Sequence, residues 1–265
     1  MGLQKVSPAC DNCYAELWAK RMGHQLWGTD APRRFFSEAH WREPLTWNEE
    51  AAIAGRRERV FCASMADVFE RRSDLNAERS RLWQLIEGTP NLDWLLLTKR
   101  PQNIERLVPW KNAWPANVWL GTSVENQTLA EKRLPFLLKN PAAVRFLSCE
   151  PLLGPLNLRQ WFKKKGLHPI DWIIAGGESG GHSRPMHPDW ATALLRQCEQ
   201  FNVPFHFKQQ WGHWVPAELS NETSNLKLLE LDNERPVEMV RLSKKLAGRV
   251  LEGTTWDGVP LTPLT

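Results

Sequence analysis

Six short apolar runs dominate the hydrophobic pattern of the chain between residues 59 and 207. None of them alternates between apolar and polar positions, and a helical pattern or a long connection separates each run from the next. Strands that are buried on both faces read as continuous apolar runs, and parallel strands need long crossover connections. The pattern therefore predicts an α/β fold with one parallel sheet, formed by the runs at 59–63, 93–98, 118–121, 144–148, 171–175 and 203–207.

Helical periodicity fills most of the connections between these runs. Gly88 and Pro90 are typical of the residues that end a helix, and Pro188 is typical of the first position of one. We expect His187 to cap the helix that Pro188 begins. The predicted helices lie at 14–22, 77–87, 104–107, 128–138 and from Pro188 to about residue 201.

The segment from Trp27 to Trp47 has no clean period. It places Arg33 and Arg34 beside Phe35 and Phe36, and arginine next to aromatic rings could meet phosphates and stack bases. The alternative, which we favour, is a long βα connection packed by its own rings.

The character of the chain changes from Trp214 onward. Residues 221–225 are polar, 226–231 and 237–242 have the pattern of a hairpin, and 244–251 have that of a short helix. We expect residues 1–214 to form a partial-barrel domain. Residues 215–265 are expected to form an appendage that covers the open edge or the rim of the barrel.

Polar or glycine residues directly follow all six apolar runs. In a parallel α/β sheet these positions meet at the carboxyl edge, where ligands bind. We expect roughly half of them to contact a ligand and the others to cap helices or bridge loops. They are Ser64, Asp67 and Glu70; Thr98, Lys99 and Arg100; Thr122, Ser123, Glu125 and Asn126; Ser148, Cys149 and Glu150; Gly176, Gly177, Glu178 and Ser179; and Lys208, Gln209 and Gln210.

Two of these strand ends have a more specific composition. Lys99 and Arg100 suit a carboxylate or a phosphate, and they would equally suit a salt bridge to Glu150 or Glu178. The glycine-rich run 176–181 leaves backbone amides free to approach a ligand. It lacks the G-x-G-x-x-G spacing and follows a late strand, which excludes a dinucleotide fingerprint.

Length and composition narrow the class of protein. A chain of 265 residues is long enough for a single α/β barrel-like domain. Its longest apolar runs have only strand length, so we expect no signal peptide and no membrane partner. Five scattered cysteines, an odd number, favour the reducing cytoplasm over a disulfide framework. The net charge of +4 alone supports no claim of nucleic-acid binding.

Cys10 and Cys13 lie on a loop that leads directly into the first predicted helix. Thiols at this spacing can hold one metal ion or one cluster iron between them, and the positive end of a helix favours the thiolate that ligates. Redox dithiols, zinc knuckles and iron–sulfur loops all use this spacing. Two ordinary cysteines in a surface turn are a further alternative.

The residues around these thiols resemble a known family. Lys5 to Glu16 is similar to the signature T-G-C-x-K-[VI]-S-P-x-C-x-x-C-Y-A-E of the uncharacterised phage and prophage family named after gene products thirty-seven and sixty-eight. Members of that family look like radical S-adenosylmethionine proteins. Further similar phrases cover nearly the whole chain, at 32–36, 64–70, 97–101, 123–127, 147–154, 176–180, 207–209 and 256–257.

The resemblance implies a radical-S-adenosylmethionine-like partial TIM (β/α) barrel with a [4Fe–4S] cluster and S-adenosylmethionine as cofactors. Leu3 stands where the first of the three cysteines would be, and the first barrel strand is expected to be absent. The implied metal ligands are Cys10 and Cys13. The expected catalytic residues are Lys99, Glu125, Glu150 and Glu178. The expected cofactor-binding residues are Ser64, Asp67, Ser123, Gly176, Gly177 and Lys208.

Two classes of function follow from these observations. The first is an enzyme that generates a radical at the mouth of the barrel, on a small-molecule or nucleic-acid-derived substrate. The second is a cluster-less or truncated relative that acts as a binding or partner protein. A zinc-binding protein that partners nucleic acid is a third, weaker alternative. Leu3 is the residue that distinguishes them, because two thiolates would hold only a labile cluster.

Overall fold

The computed structural model describes residues 1–261 except 112, 164, 209, 210, 223, 232, 233 and 244. All six strands predicted from the apolar runs are present in one parallel sheet, in sequential order. They are β1 Glu58–Cys62, β2 Leu92–Thr98, β3 Val118–Ser123, β4 Val144–Cys149, β5 Trp172–Ala175 and β6 Phe205–Phe207. The sheet curls into a partial barrel, so that Nζ of Lys208, after β6, lies 5.2 Å from the ring centroid of Phe61 in β1.

Helices connect the strands as the periodicity predicts. Pro188 is the first residue of the last long helix, and the His187 side chain caps that helix by accepting from the Asp189 amide at 3.2 Å. The helices are α1 Tyr14–Arg21, α2 Glu38–Ala54, α3 Asn76–Gly88, α4 Ile104–Leu107, α5 Gln127–Leu137, α6 Arg159–Phe162 and α7 Pro188–Phe201. Among the described residues, no helix combines the length and the apolarity needed to cross a membrane.

Helix α2 is an element that the sequence pattern did not reveal. It begins at Glu38 inside the aperiodic segment, runs on to Ala54 and contains Pro44 in its interior. Only Pro44 and Ala51 of this helix are buried. It therefore lacks the apolar stripe by which an amphipathic helix is recognised.

Strands β2 to β5 are buried on both faces because each face has its own apolar cluster, whereas the edge strand β1 stays largely exposed. Leu96, Leu120 and Leu147 belong to the large cluster shared with the surrounding helices. Trp119 and Trp172 belong to the cluster on the inner face, where their rings meet edge to face at 5.9 Å. These inner rings fill the barrel below the carboxyl ends of the strands, which leaves the upper end for a site.

A small sheet at the end of the chain forms the predicted appendage. Its strands are β7 Trp214–Pro216, β8 Leu226–Leu229 and β9 Val237–Arg241, with β9 in the centre, and β10 Val250–Leu251 pairs with β11 Thr254–Thr255. The antiparallel pairing of β8 with β9 confirms the predicted hairpin. The helix predicted at 244–251 is wrong. Gly248 has a φ of 72° in a turn that leads into β10, and Lys244 lies outside the described residues.

The last described segment covers the free edge of β6. The amide of Phe207 donates to the carbonyl of Trp256 at 2.9 Å, and the amide of Gly258 donates to the carbonyl of Phe205 at 2.9 Å. The rim is covered as well, since the indole of Trp214 donates to the carbonyl of Ser183. The boundary at residue 214 stays a prediction.

Gly121→Ala should destabilise the protein by about 1–3 kcal/mol, the usual cost of overpacking a core. A Cβ atom at Gly121 would lie 2.4 Å from the ring of Phe146 on the inner face. Urea unfolding measures the change. Gly88→Ala is the matched control, because its Cβ would meet nothing within 4 Å. Equal stability of the two variants would show that the inner face can repack.

Candidate functional site

A cavity of 180 Å³ lies at the carboxyl ends of the strands. Its wall combines residues from the strand ends with residues from the loop that contains both thiols. Ten of the twelve residues expected from the sequence to be catalytic, cofactor-binding or metal-ligating line it: Cys10, Cys13, Ser64, Asp67, Lys99, Ser123, Glu150, Gly177, Glu178 and Lys208. Leu3, Asn12, Tyr14 and Arg100 line it too. Gln209 and Gln210 lie outside the described residues.

Glu125 and Gly176 are the two expected site residues that do not line the cavity. The Glu125 side chain is fully buried and forms an ion pair with Arg133, with Oε2 2.8 Å from Nη1. Its other oxygen accepts a hydrogen bond from the Ser7 hydroxyl at 2.5 Å. Glu125 thus holds the start of the loop that carries Cys10 and Cys13, which we call the cysteine loop. Gly176 exchanges backbone hydrogen bonds with neighbouring segments, through its amide to Cys149 and its carbonyl from Leu152.

Asp67 lines the cavity and holds the residues at the carboxyl end of β2 in place. Its carboxylate accepts from the Thr98 hydroxyl at 2.8 Å, from the Lys99 amide at 3.2 Å and from Nη1 of Arg100 at 3.0 Å. The salt bridge considered for Arg100 therefore goes to neither Glu150 nor Glu178. These contacts use most of the acceptor capacity of Asp67, so its geometry is that of a positioning group.

Glu178 and Arg184 clamp the cysteine loop from the other side. Arg184 donates to Glu178 through its backbone amide at 2.8 Å and through Nε at 2.9 Å. The side-chain hydrogen bond to Glu178 raises the pKa of the Arg184 guanidinium. Arg184 also donates to the carbonyl of Pro8 at 2.9 Å, and the side-chain amide of Asn12 donates to Glu178 at 2.9 Å.

The sequence did not identify Ser7, Asn12 or Arg133 as site residues. Ser7 and Asn12 lie inside the cysteine motif, which is the one signal that could have selected them. Arg133 faces inward from α5 and had no signal, because an arginine in a helix is normally on its exposed side.

Lys99 lines the cavity together with two other cations, Arg100 and Lys208. Its Nζ donates to the Ser123 hydroxyl at 3.1 Å. No carboxylate of the described residues lies within ion-pairing distance of it. Lys208 differs, because its Nζ lies 3.8 Å from Glu150. Lys99 is therefore free to meet an anionic group of a ligand.

The two thiols and Leu3 share this cavity. Cys10 is buried, Cys13 is the partly exposed N-cap residue of α1, and both are free thiols. The amide of Gly2 donates to the carbonyl of Met65 at 2.9 Å, which fixes the segment that presents Leu3. Gly2 has a φ of 103°, and a Cβ there would lie 2.5 Å from the carbonyl oxygen of Leu26. Only glycine fits this position.

The donor set at the thiols is incomplete for a cluster held by three protein ligands. In the described part of the chain, no group of three His, Cys, Asp or Glu ligand atoms within 4.8 Å of one another includes Cys10 or Cys13. The one such group is formed by His187, Asp189 and Glu234. There His187 already uses both ring nitrogens, on the Asp189 amide and the Arg235 carbonyl.

The remaining cysteines are not suited to ligation. Burial raises the pKa of Cys62 and of Cys198 to about 12 and the pKa of Cys149 well above its usual value. Near neutral pH these thiols stay protonated. Cys149 and Cys198 act as small buried side chains, whereas Cys62 is partly exposed.

Alkylation with iodoacetamide at pH 8, after treatment with a chelator, should modify Cys13 first. At that pH about one in ten thousand of the Cys62 and Cys198 thiols is ionised, given their pKa of about 12. Cys10 should react more slowly than Cys13 because it is only 3% exposed. Peptide mass spectrometry over time measures the order. Early modification of Cys149 or Cys198 would contradict the buried placement of these thiols.

Comparison with known proteins gives a family. The family model described as "Protein of unknown function (DUF5131)" matches residues 1–260. No curated protein and no solved structure matches the chain. The phage origin and the radical S-adenosylmethionine likeness expected from the sequence stay predictions. Because the match spans nearly the whole chain, this protein belongs to the DUF5131 family of proteins of unknown function.

Proposed function

We propose that the strand-end cavity is the ligand site of a radical S-adenosylmethionine-like enzyme. The observation that supports this proposal is the shared wall, in which Cys10 and Cys13 line the same cavity as Lys99 and Glu150. A cluster would therefore be next to the place where a ligand binds. Five free cysteines fit a reducing compartment such as the cytoplasm.

Cys10 and Cys13 are the residues that would hold an iron–sulfur cluster. Thiolates are the ligands that such clusters use, and both side chains lie on a loop fixed by Ser7, Asn12 and Arg184. When bound, the cluster would supply an electron for cleavage of S-adenosylmethionine. Leu3 cannot ligate, so we expect this chain to hold iron weakly.

The chain's own residues position the ligand. Lys99 would bind its carboxylate or phosphate, because a charge-assisted hydrogen bond is about twice as strong as a neutral one. The Glu150–Lys208 pair forms another part of the wall. A cavity of 180 Å³ is smaller than the roughly 300–1,000 Å³ of sites that enclose drug-sized ligands. Part of a ligand of the size of S-adenosylmethionine would therefore lie at the mouth.

A second candidate is a binding or partner protein that uses the cavity without a cluster. The placement of Leu3 favours it, because an apolar side chain lies where the resemblance implies a thiolate. The loop is held by hydrogen bonds and ion pairs of the protein itself, so the cavity does not require a metal to form.

Leu3→Cys should increase iron binding. Anaerobic reconstitution with iron and sulfide, followed by iron analysis and visible absorbance, compares this variant with the unchanged chain. We expect substoichiometric, labile iron in the unchanged chain and a stable cluster in Leu3→Cys. Stability should change little, since the position is a loop at the rim of the cavity.

Cys62→Ser in the Leu3→Cys background is the control, because Cys62 does not line the cavity that Leu3, Cys10 and Cys13 share. Cys13→Ser in the same background should abolish the cluster. Equal stoichiometric clusters with and without Leu3→Cys would show that another ligand completes the site. Absence of iron from both would favour the second candidate.

Lys99→Gln should weaken the binding of S-adenosylmethionine by at least about tenfold, because a hydrogen bond to a charged group contributes about 1.5–3 kcal/mol. Isothermal titration calorimetry on the unchanged chain and the variant measures the affinity. Lys132→Gln, at an exposed position of α5 outside the cavity, is the matched control. Unchanged affinity of Lys99→Gln would remove Lys99 from the site.

A further inference from the structure

The outward face of α1 exposes large apolar side chains at the mouth of the cavity. Tyr14, Trp18 and Met22 follow one another at intervals of four residues and are 54%, 42% and 58% exposed. Residues at this spacing lie on one face of a helix. Tyr14 itself lines the cavity, and its hydroxyl donates to the carbonyl of Ser64 at 3.2 Å. The exposed face therefore begins where the cavity opens.

A cation lies among these side chains. Arg21 is seven residues after Tyr14 and so projects from the same face. It is exposed, and no described residue forms an ion pair with it. The acidic residue of the same helix, Glu16, lies on its inner side and is neutralised by Lys5 at 2.9 Å and Lys20 at 2.8 Å. The face is thus aromatic and positively charged.

A second exposed aromatic patch continues from the end of α1. Nη1 of Arg34 lies 2.9 Å from the His24 ring, two residues after the C-cap of α1. Phe35 and Phe36 follow Arg34 and are 46% and 47% exposed. They line an apolar groove of 400 Å³ that shares five wall residues with the strand-end cavity: Phe61, Ala63, Ser64, Ala66 and Asp67. We call these exposed residues together the rim surface: Tyr14, Trp18, Arg21, Met22, Arg34, Phe35 and Phe36.

We propose that the rim surface binds single-stranded nucleic acid and delivers one nucleotide to the strand-end cavity. Flat rings interleaved with unpaired cations are the combination that binds unpaired bases and phosphates together. Tyr14 belongs to the rim surface and also lines the cavity, so a nucleotide stacked there would lie at the cavity mouth. Enzymes that modify a base take it out of the stack before the reaction. This substrate class rests on the proposed enzymatic function, whereas the binding itself does not need the cluster.

Other occupants fit the rim surface less well. An acyl chain would suit an aliphatic lining, whereas four of the five large apolar side chains here are aromatic. A duplex hides the faces of its bases, so it could meet Arg21 and Arg34 but could not use Tyr14 or Trp18. The acidic groups near the mouth do not oppose a phosphate chain, because Glu150 and Glu178 are paired with Lys208 and Arg184.

The test is fluorescence anisotropy with labelled single-stranded DNA and RNA of about 12 nucleotides, a length that one stacking module spans. The unchanged chain is used, without reconstitution. Trp18→Ala should weaken binding at least about fivefold, the lower end of what stacking on one ring contributes, and Trp18→Phe should retain most of the affinity. Arg21→Gln should reduce the slope of log affinity against log salt by about 0.7, the value for one phosphate contact to a single strand.

Phe136→Ala and Lys132→Gln are the matched controls. They remove one exposed ring and one exposed cation from α5, on the outside of the barrel. We expect both to bind as the unchanged chain does. Circular dichroism of all variants checks that they are folded.

Three results would overturn the proposal. They are equal affinity of Trp18→Ala and Phe136→Ala, binding of duplex DNA as tight as that of single strands, and binding only to vesicles of anionic lipid. Failure of Leu3→Cys to hold iron, with these oligonucleotide results as expected, would instead overturn the enzymatic function and leave the binding surface intact. A stable cluster in Leu3→Cys without oligonucleotide binding would overturn the binding surface and leave the proposed enzymatic function intact.

Discussion

Two buried carboxylates hold the cysteine loop on the barrel, and the geometry of the site depends on them. Glu125 follows β3 and Glu178 follows β5, and each is paired with an arginine, Arg133 or Arg184. For the fully buried Glu125–Arg133 pair, removal of one partner typically costs about 3–5 kcal/mol, because the other charge is left without compensation. Each carboxylate also accepts a hydrogen bond from the loop, from Ser7 or Asn12. The same two carboxylates thus fix both the strand ends and the position of the thiols.

The barrel leaves only its upper end for chemistry. Aromatic side chains such as Trp119 and Trp172 fill the inner face below the cavity, and the segment around Gly258 pairs with the edge of β6. The indole of Trp172 donates to the carbonyl of Gly258, which joins the inner core to this covering segment. A parallel sheet aligns all of its carboxyl ends at one edge. Polar residues from six separate loops therefore meet at one cavity because each of them lies close to the end of its strand.

The sequence predicted the central strands because burial on both faces produces unbroken apolar runs. It predicted β1 from the same kind of run, although that edge strand is largely exposed. It also located most of the cavity wall, since position directly after a parallel strand determines where a side chain lies. Position does not determine which way the side chain turns. Glu125 follows its strand as directly as Lys99 does, and yet Arg133 draws it into the core while Lys99 faces the cavity.

Helix α2 and the turn before β10 were missed for a different reason. Helix α2 buries too little to produce a hydrophobic period, with only Pro44 and Ala51 inside. In the turn before β10, the apolar residues suggested a helix, but Gly248 adopts a left-handed conformation that ends any helical path. In both cases the local pattern was weaker than the tertiary contacts that decide the structure.

The contacts that hold the cysteine loop also explain how the site can keep its shape with Leu3 in place of a thiol ligand. In a protein whose metal organises the loop, loss of one ligand would disorder the site. In this chain the loop is organised by Glu125, Glu178 and their arginines, none of which is a thiol, and Leu3 is held by the backbone contacts of Gly2. The identity of residue 3 can therefore change the affinity for a metal while the cavity keeps its shape. We therefore expect the proposed ligand binding and the proposed metal binding to be separable properties of this site.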